Sequence, residues 1–214
     1  MPRPPASPAE IEAARDQMIE GSIALIDEAG FQEFSMRKLG SRLGIAAKTI
    51  YNYFADKDEL YLAVLSRGFQ RLLSEMEDRA APARNPSDRL LLLGQAYVEF
   101  GLANPRYYNV LFSLDLPRFT DYRGTRHEKL AEQQNNEALR VADLAAQCIS
   151  EIVAENDTDE EEIKYRLMRL WSSLHGIISL VNSRVTLEVG DFSASEPQAD
   201  RVVIRDRGAI KGLR

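Results

Sequence analysis

Residues 34–55 read FSMRKLGSRLGIAAKTIYNYFA, and this stretch contains four basic side chains and no acidic one. The whole chain has a formal net charge of −6, so removing the four positive charges of this stretch leaves −10 on the remainder. Acidic residues are frequent elsewhere, with 33 aspartates and glutamates among 214 residues. A basic, acid-free stretch in an acidic chain indicates a surface that approaches a polyanion.

The same stretch has the signals of two short helices joined by a tight turn. Ser35 is a suitable N-cap for a helix that ends at Gly44, and a second short helix is predicted at about 46–53. These are the proportions of a helix-turn-helix, which places its second helix in the DNA major groove. The apolar side chains predicted to be buried beneath these helices are Leu39, Leu43, Ile50 and Phe54.

The composition is that of a globular protein, with 44% hydrophobic and 28% charged residues. The single cysteine, Cys148, excludes an intrachain disulfide, and its apolar sequence neighbours predict a buried structural thiol. The N-terminal MPRPPASPAE has prolines where a secretory signal needs an apolar core, and no apolar run approaches the roughly 20 residues of a membrane span. We therefore expect a cytoplasmic protein with no membrane partner.

Apolar periodicity predicts helices along the rest of the chain. One helix runs from Ala9 to Gly30, and another begins at Asp56, which forms a capping box with Glu59, and runs to about Arg79. The fold class is therefore all-α, with an N-terminal three-helix helix-turn-helix domain followed by a helical bundle. Further helices are predicted at about 90–103, 122–155 and 158–189, the last with a capping box of Thr158 and Glu161, and 114–120 is predicted to be a loop.

Residues 29–65, AGFQEFSMRKLGSRLGIAAKTIYNYFADKDELYLAVL, resemble the N-terminal domain of TetR-type transcriptional regulators. The matching features are the AGF turn, the SMRKLG first helix, the TIYNYF recognition helix and the KDEL start of the next helix, and the resemblance extends over about residues 10–66. It implies a homodimer that binds operator DNA and releases it when a small molecule enters the C-terminal domain. The predicted domains are a disordered arm (1–8), the DNA-binding domain (9–56), a regulatory and dimerisation domain (57–189) and an extension (190–214).

Transferred position by position, the resemblance implies that Ala47, Lys48 and Asn52 face base edges and that the other predicted contacts are mostly to the DNA backbone. Lys57 also has an independent reason to bind phosphate, because it begins a helix whose free amides favour an anion. For Tyr51 and Tyr53, inward packing of one ring remains an alternative. The predicted DNA-binding residues are Ser35, Arg37, Ala47, Lys48, Thr49, Tyr51, Asn52, Tyr53 and Lys57.

Residues 169–181, RLWSSLHGIISLV, are similar to the W-H-G signature of one subclass of TetR C-terminal domains. Trp171 and His175 lie one helical turn apart, so they either line a ligand pocket or pack in the core around a satisfied histidine. The sequence indicates no chemical class for the ligand. The predicted pocket residues are Phe69, Tyr97, Phe100, Asn104, Tyr107, Tyr108, Phe112, Trp171 and His175.

The last long helix is predicted to have a bulky apolar side and an opposite side of small residues. Small side chains let helix backbones approach closely, so the second side is predicted to contribute to a two-fold dimer interface. The residues assigned to this interface are Ser172, Gly176, Ser179 and Ser183.

These features predict a homodimeric repressor that binds a palindromic operator and is released by a small-molecule effector. An activator or a ligand-independent regulator is an alternative, and so is an all-α enzyme that uses Trp171 and His175. No Gly-rich phosphate loop, nucleophile elbow or metal-ligand spacing supports the enzyme, so we expect no enzymatic activity.

The chain has two histidines and no cysteine cluster, so we expect no metal and no cofactor. Residues 190–214 either form a poorly packed extension or fold across a dimer partner.

Overall fold

The computed structural model describes residues 7–112, 115–153 and 159–185, and within these ranges every regular element is a helix. The predicted all-α fold class is confirmed. The helices are α1 (Pro8–Glu33), α2 (Met36–Leu43), α3 (Ala47–Ile50), α4 (Lys57–Ala80), α5 (Pro86–Ala103), α6 (Pro105–Phe112), a 3-10 turn (Phe119–Tyr122), α7 (Glu128–Val153) and α8 (Glu160–Asn182).

Local signals set the ends of α1. Its N-cap is Ser7, whose hydroxyl accepts the Glu10 amide at 3.3 Å while the Glu10 carboxylate accepts the Ser7 amide at 2.8 Å. This capping box starts the helix at Pro8, one residue before the predicted Ala9. Gly30, the predicted end, has φ of 77°, and the kink it makes is followed by a last short helical segment that ends at Glu33.

Several predicted boundaries are corrected by the caps that the structure uses. The fifth helix begins at Pro86 rather than Leu90, because the Asn85 side chain accepts the Asp88 amide at 2.8 Å. Residues 106–112, RYYNVLF, lie in α6. The predicted loop 114–120 overlaps the 3-10 turn, which begins at Phe119.

The last two helices also begin later than predicted. The seventh begins at Glu128 rather than Tyr122, because the 3-10 turn and Gly124, with φ of 72°, precede it. The last helix has Asp159 as its N-cap, accepting the Glu162 amide at 2.9 Å. The predicted cap Thr158, the helix ends at 155 and 189, and most of the segments 1–8 and 190–214 lie outside the described residues.

The chain divides into two compact units. The first combines α1, α2, α3, α6 and the 3-10 turn with α4 up to Phe69 and α7 up to Glu137. Within it α1 packs against α2, and α2 packs against α3. Large side chains buried in this unit include Phe34, Leu39, Ile50, Phe54, Leu60, Tyr61 and Leu111.

The second unit combines Gln70–Pro105 with the described residues from Ala138 onward. Its α5 packs against α8, and Cys148 is fully buried, as predicted. Burial raises the pKa of the Cys148 thiol, which therefore stays protonated. None of the described helices combines the length and apolarity that crossing a bilayer requires. The most deeply buried side chains of this unit are Leu72, Leu93, Val98, Phe100, Cys148, Ile149 and Ile178.

A glycine in α2 allows the start of α3 to pack closely. A Cβ atom at Gly40 would lie 2.7 Å from the Ile45 carbonyl oxygen and 3.2 Å from the Ala47 amide nitrogen. The Ile45 amide donates to the Gly40 carbonyl at 2.9 Å, so this approach is part of the turn itself. Gly44, with φ of 69°, ends α2 in the left-handed conformation, as its sequence position predicts.

We expect Gly40→Ala to destabilise the helix-turn-helix by about 1–3 kcal/mol, because backbone atoms rather than a flexible side chain must move. Thermal unfolding followed by circular dichroism measures the change. Ser41→Ala, at the exposed next position of the same helix, is the matched control and should unfold at or slightly above the wild-type temperature. Equal unfolding temperatures for the two variants would contradict the close-packing argument.

Candidate functional site

The recognition segment, residues 47–53, is held by two buried anchors and presents its remaining polar side chains outward. Ile50 is 0% and Phe54 1% exposed, as predicted. Tyr51 is 52% exposed, and Lys48 and Asn52 are also exposed. The inward alternative for Tyr51 is therefore wrong. The half-buried members of the segment are Ala47, Thr49 and Tyr53.

The helix before this segment contributes a cap and a cation. The Ser35 hydroxyl accepts the Lys38 amide at 3.2 Å, so it serves as the N-cap of α2. Leu39 is fully buried and Leu43 half-buried, which fixes the inner side of the helix. Arg37 lies on the exposed side.

Two of the four cations in the acid-free stretch are paired with acids of α1. Lys38 Nζ lies 2.8 Å from a Glu33 carboxylate oxygen. Arg42 donates two hydrogen bonds to Glu28, at 2.7 and 2.9 Å. These hydrogen bonds hold the pKa values of both glutamates below their usual range.

Arg37 and Lys48 differ from these paired cations, since neither has an acidic partner among the described residues. Both side chains are exposed, so their charges are available to a phosphate.

Lys57, predicted to contact phosphate, lies at the start of α4 over an aromatic ring. Its Nζ is 4.0 Å from the centroid of Phe31, a cation–π geometry. Partial burial lowers the pKa of Lys57, while the nearby Asp58 and Glu33 raise it. The ring of the AGF turn therefore holds the Lys57 ammonium close to the first turn of α4.

A cluster that sequence reasoning missed adjoins the same helix start. Ligand-type atoms of Asp56, Asp58 and His127 lie within 4.8 Å of one another. His127 Nε2 lies 2.9 Å from Asp56 Oδ2, which Arg126 also contacts, and the Tyr122 hydroxyl donates to Asp58 at 3.0 Å. These protein partners account for the cluster without a metal ion. His127 lies 71 positions along the chain from Asp56, so no local sequence signal could have found the cluster.

The capping box at Asp56 takes a different form from the predicted one. Asp56 Oδ1 accepts the Glu59 amide at 2.9 Å, as predicted. The Glu59 carboxylate, however, accepts the amide of Ala55 at 2.7 Å rather than that of Asp56. The helix start is capped in both directions, and its first turn lies beside the recognition segment in sequence.

In the second unit, Tyr97, Trp171 and His175 form one polar cluster. The Tyr97 hydroxyl accepts the Trp171 indole N–H at 3.0 Å and lies 2.8 Å from His175 Nε2. Burial lowers the pKa of His175 to about 4, so the ring is neutral at pH 7. The Tyr97 hydroxyl therefore links the indole N–H of Trp171 to the neutral imidazole of His175.

The remaining predicted pocket residues fall into separate groups. In the first unit, the Phe112 ring lies 5.8 Å from Phe69 and 5.1 Å from Tyr108. Burial raises the pKa of Tyr108 to about 12. The Tyr107 hydroxyl donates to Glu20. In the second unit, the Asn104 amide donates to the carbonyl of the buried Phe100 at 3.1 Å.

The four small residues predicted for a dimer interface are all exposed and share one side of α8. The opposite side carries the buried Leu174 and Ile178. Two large apolar side chains on the exposed side were missed by sequence reasoning: Tyr165 and Met168, each 58% exposed. Among the described residues, no atom outside the neighbouring backbone of α8 lies within 4 Å of a Cβ placed at Gly176. We call Tyr165, Met168, Ser172, Gly176, Ser179 and Ser183 the α8 stripe.

Comparison with known proteins gives a consistent family. Residues 18–64 match the family described as bacterial regulatory proteins, tetR family, and residues 90–202, just over half of the chain, match the tetracyclin repressor-like C-terminal domain. An uncharacterized HTH-type transcriptional regulator of Mycobacterium tuberculosis is 24% identical over 175 residues, 82% of this chain and 72% of the relative. The HTH-type transcriptional repressor KstR of Rhodococcus jostii is 30% identical over 79 residues, 37% of this chain and 36% of its own.

Solved structures share the fold. The crystal structure of a TetR-family transcriptional regulator from Bordetella parapertussis superposes with a TM-score of 0.67 at 16% identity, over 90% of this chain and 93% of the other. At that identity the likeness concerns the fold.

The charge arrangement predicts unequal roles for the basic residues. We expect Arg37→Gln to reduce the slope of log affinity for DNA against log salt concentration by about 1, because one phosphate contact is lost. The double variant Glu28→Gln/Arg42→Gln removes an ion pair without changing the net charge and should leave the slope unchanged. Fluorescence anisotropy titrations at several salt concentrations measure both. A smaller salt slope in the double variant would indicate that Arg42 leaves Glu28 and binds a phosphate when the protein binds DNA.

The half-buried, neutral His175 predicts a pH dependence of stability. Its folded pKa lies below the ordinary value of 6.5, so the unfolded chain binds the proton first and stability is lost as pH falls from about 6.5 towards 4. We expect His175→Gln, which keeps a hydrogen-bonding group for Tyr97, to lose less stability over this range than the wild type. Urea unfolding at pH 8, 6 and 5 measures the difference. A wild-type-minus-variant difference that stays constant with pH would contradict the burial argument.

Proposed function

Because the chain belongs to the TetR family of bacterial transcriptional regulators, a family of DNA-binding proteins rather than enzymes, we propose that it is a homodimeric repressor released from a palindromic operator by a small molecule. DNA binding follows from the family. Repression, dimerisation and effector release are the proposed steps.

The outward side of the recognition segment carries the DNA-binding part of the proposal. Lys48, Tyr51 and Asn52 supply a cation, a hydroxyl and an amide from a segment whose inner side is fixed by Ile50 and Phe54. A side-chain amide can read an adenine edge, and lysine can read guanine or bind phosphate. Arg37 then adds a backbone contact from α2. In this proposal, Ala47, Asn52 and Lys48 face bases.

The α8 stripe supports the homodimer. The helix buries Leu174 and Ile178 on one side and exposes Tyr165 and Met168 on the other, an arrangement that favours a partner against the exposed side. Gly176 and the three serines leave room for a close approach of two helix backbones. Two-fold pairing of the stripe with its own copy is the arrangement that buries both stripes at once.

The Tyr97–Trp171–His175 cluster supports the effector site. It places an indole that is 39% exposed beside a hydroxyl and a neutral imidazole, and such a combination binds a mainly apolar ligand with a few directed hydrogen bonds. In this proposal the cluster binds a ligand and performs no chemistry.

The experiment that tests the function is selection of bound DNA from random sequence, followed by titration of the selected site at a stated salt concentration. We expect a two-fold symmetric site, with half-sites about one helical turn or a multiple of it apart. Selected sequences without two-fold symmetry would contradict binding by a homodimer. A reporter placed behind the selected site then separates repressor from activator, and a metabolite screen on the bound complex separates an effector-responsive regulator from a ligand-independent one.

The stripe has its own test. We expect Gly176→Arg to give a monomer in sedimentation velocity. It should also weaken binding to the full site far more than to a half-site, because the second DNA-binding domain of the dimer is lost. Ser74→Arg, an exposed position on α4, is the matched control and should leave the dimer intact. Persistence of the dimer in Gly176→Arg would place the interface elsewhere.

A further inference from the structure

The end of the recognition segment is bound by a side chain from outside the helix-turn-helix. Arg15, in the middle of α1, donates a hydrogen bond from Nη1 to the Tyr53 carbonyl at 2.7 Å. Its guanidinium carbon also lies 4.2 Å from the centroid of the Phe54 ring. The two partners are adjacent residues at the exit of the segment, and Tyr53 lies 38 positions along the chain from Arg15.

Such a contact matters because α3 is only four residues long. One helical turn is not stable by itself, and the last carbonyls of a helix have no amide partner within it. Ala46 supplies no side-chain cap at the start of α3, where the close approach at Gly40 fixes the backbone instead. At the exit of the segment, Arg15 adds a side-chain contact to the anchoring that the buried Phe54 provides.

Resting on the proposed DNA binding, we infer that Arg15 is a positioning residue for base recognition, which sets the orientation of Asn52 through the Tyr53 carbonyl without itself reading a base. A guanidinium suits this position because it can donate to a carbonyl and stack on a ring with the same planar group. A charge-assisted hydrogen bond to a backbone carbonyl is also stronger than a neutral one.

Substitution of a positioning residue and substitution of a phosphate ligand change DNA affinity and its salt dependence in different ways. Loss of a phosphate ligand weakens binding to all sequences alike and reduces the salt slope by about 1. Loss of a positioning residue misplaces the base-reading side chains, so it weakens binding to the operator while binding to random DNA and the salt slope remain unchanged.

The experiment compares Arg15→Met with Arg37→Met in the full-length protein, using anisotropy titrations on the selected operator and on random-sequence duplex. Methionine keeps an apolar stem over Phe54 but removes both the charge and the donor. We expect Arg15→Met to reduce the operator-to-random affinity ratio by about tenfold, the size of losing one base contact, with an unchanged salt slope. Arg37→Met should weaken both DNAs alike and reduce the slope.

A second variant keeps the test interpretable if Arg15→Met unfolds. Arg15→Gln retains a donor for the Tyr53 carbonyl without the charge, and it should recover part of the affinity ratio. An unchanged ratio in both variants would overturn the positioning role, and so would equal weakening on both DNAs with a reduced slope. If the wild type itself fails to distinguish operator from random DNA, the proposed function fails, which is a separate outcome.

Discussion

The burial of Ile50 and Phe54 is the interaction on which the DNA-binding unit depends. A four-residue helix cannot hold its shape in water, so the segment is helical because the core of the first unit fixes its inner side. Once those two side chains are buried, the 3.6-residue period points Lys48, Tyr51 and Asn52 outward. The DNA-contacting side of the recognition segment is thus determined by its buried hydrophobic anchors as much as by its polar groups.

Charge in this unit is distributed unevenly. The sequence offers four cations between positions 34 and 55, but the fold neutralises Lys38 and Arg42 with acids from α1. The remaining charges of Arg37 and Lys48 lie in an acidic protein, whose net charge of −6 opposes approach to DNA in other orientations. The ion pairs that Glu28 and Glu33 form are exposed and add little stability. Their main effect is to reduce the positive electrostatic potential at Lys38 and Arg42.

The features that could be predicted from the sequence are those with local causes. The glycine at 44, the cap at Ser35 and the apolar spacing of the two short helices are read within a few residues, and the structure contains them. The starts of α5 and α7 were predicted wrongly, because a cap and a 3-10 turn outweighed apolar periodicity. Contacts such as Arg42 with Glu28, 14 positions apart, and Arg15 with Tyr53, 38 apart, depend on tertiary packing and carry no sequence signal.

The most direct test of the account is chemical protection of the operator by the bound protein. Dimethyl sulfate methylates guanine N7 in the major groove and adenine N3 in the minor groove, so it reports which groove the recognition segment enters. We expect protection of guanine N7 in two symmetry-related major-groove segments, with adenine N3 unaffected between them. Protection confined to adenine N3, or full reactivity of guanine N7 in a saturated complex, would contradict it.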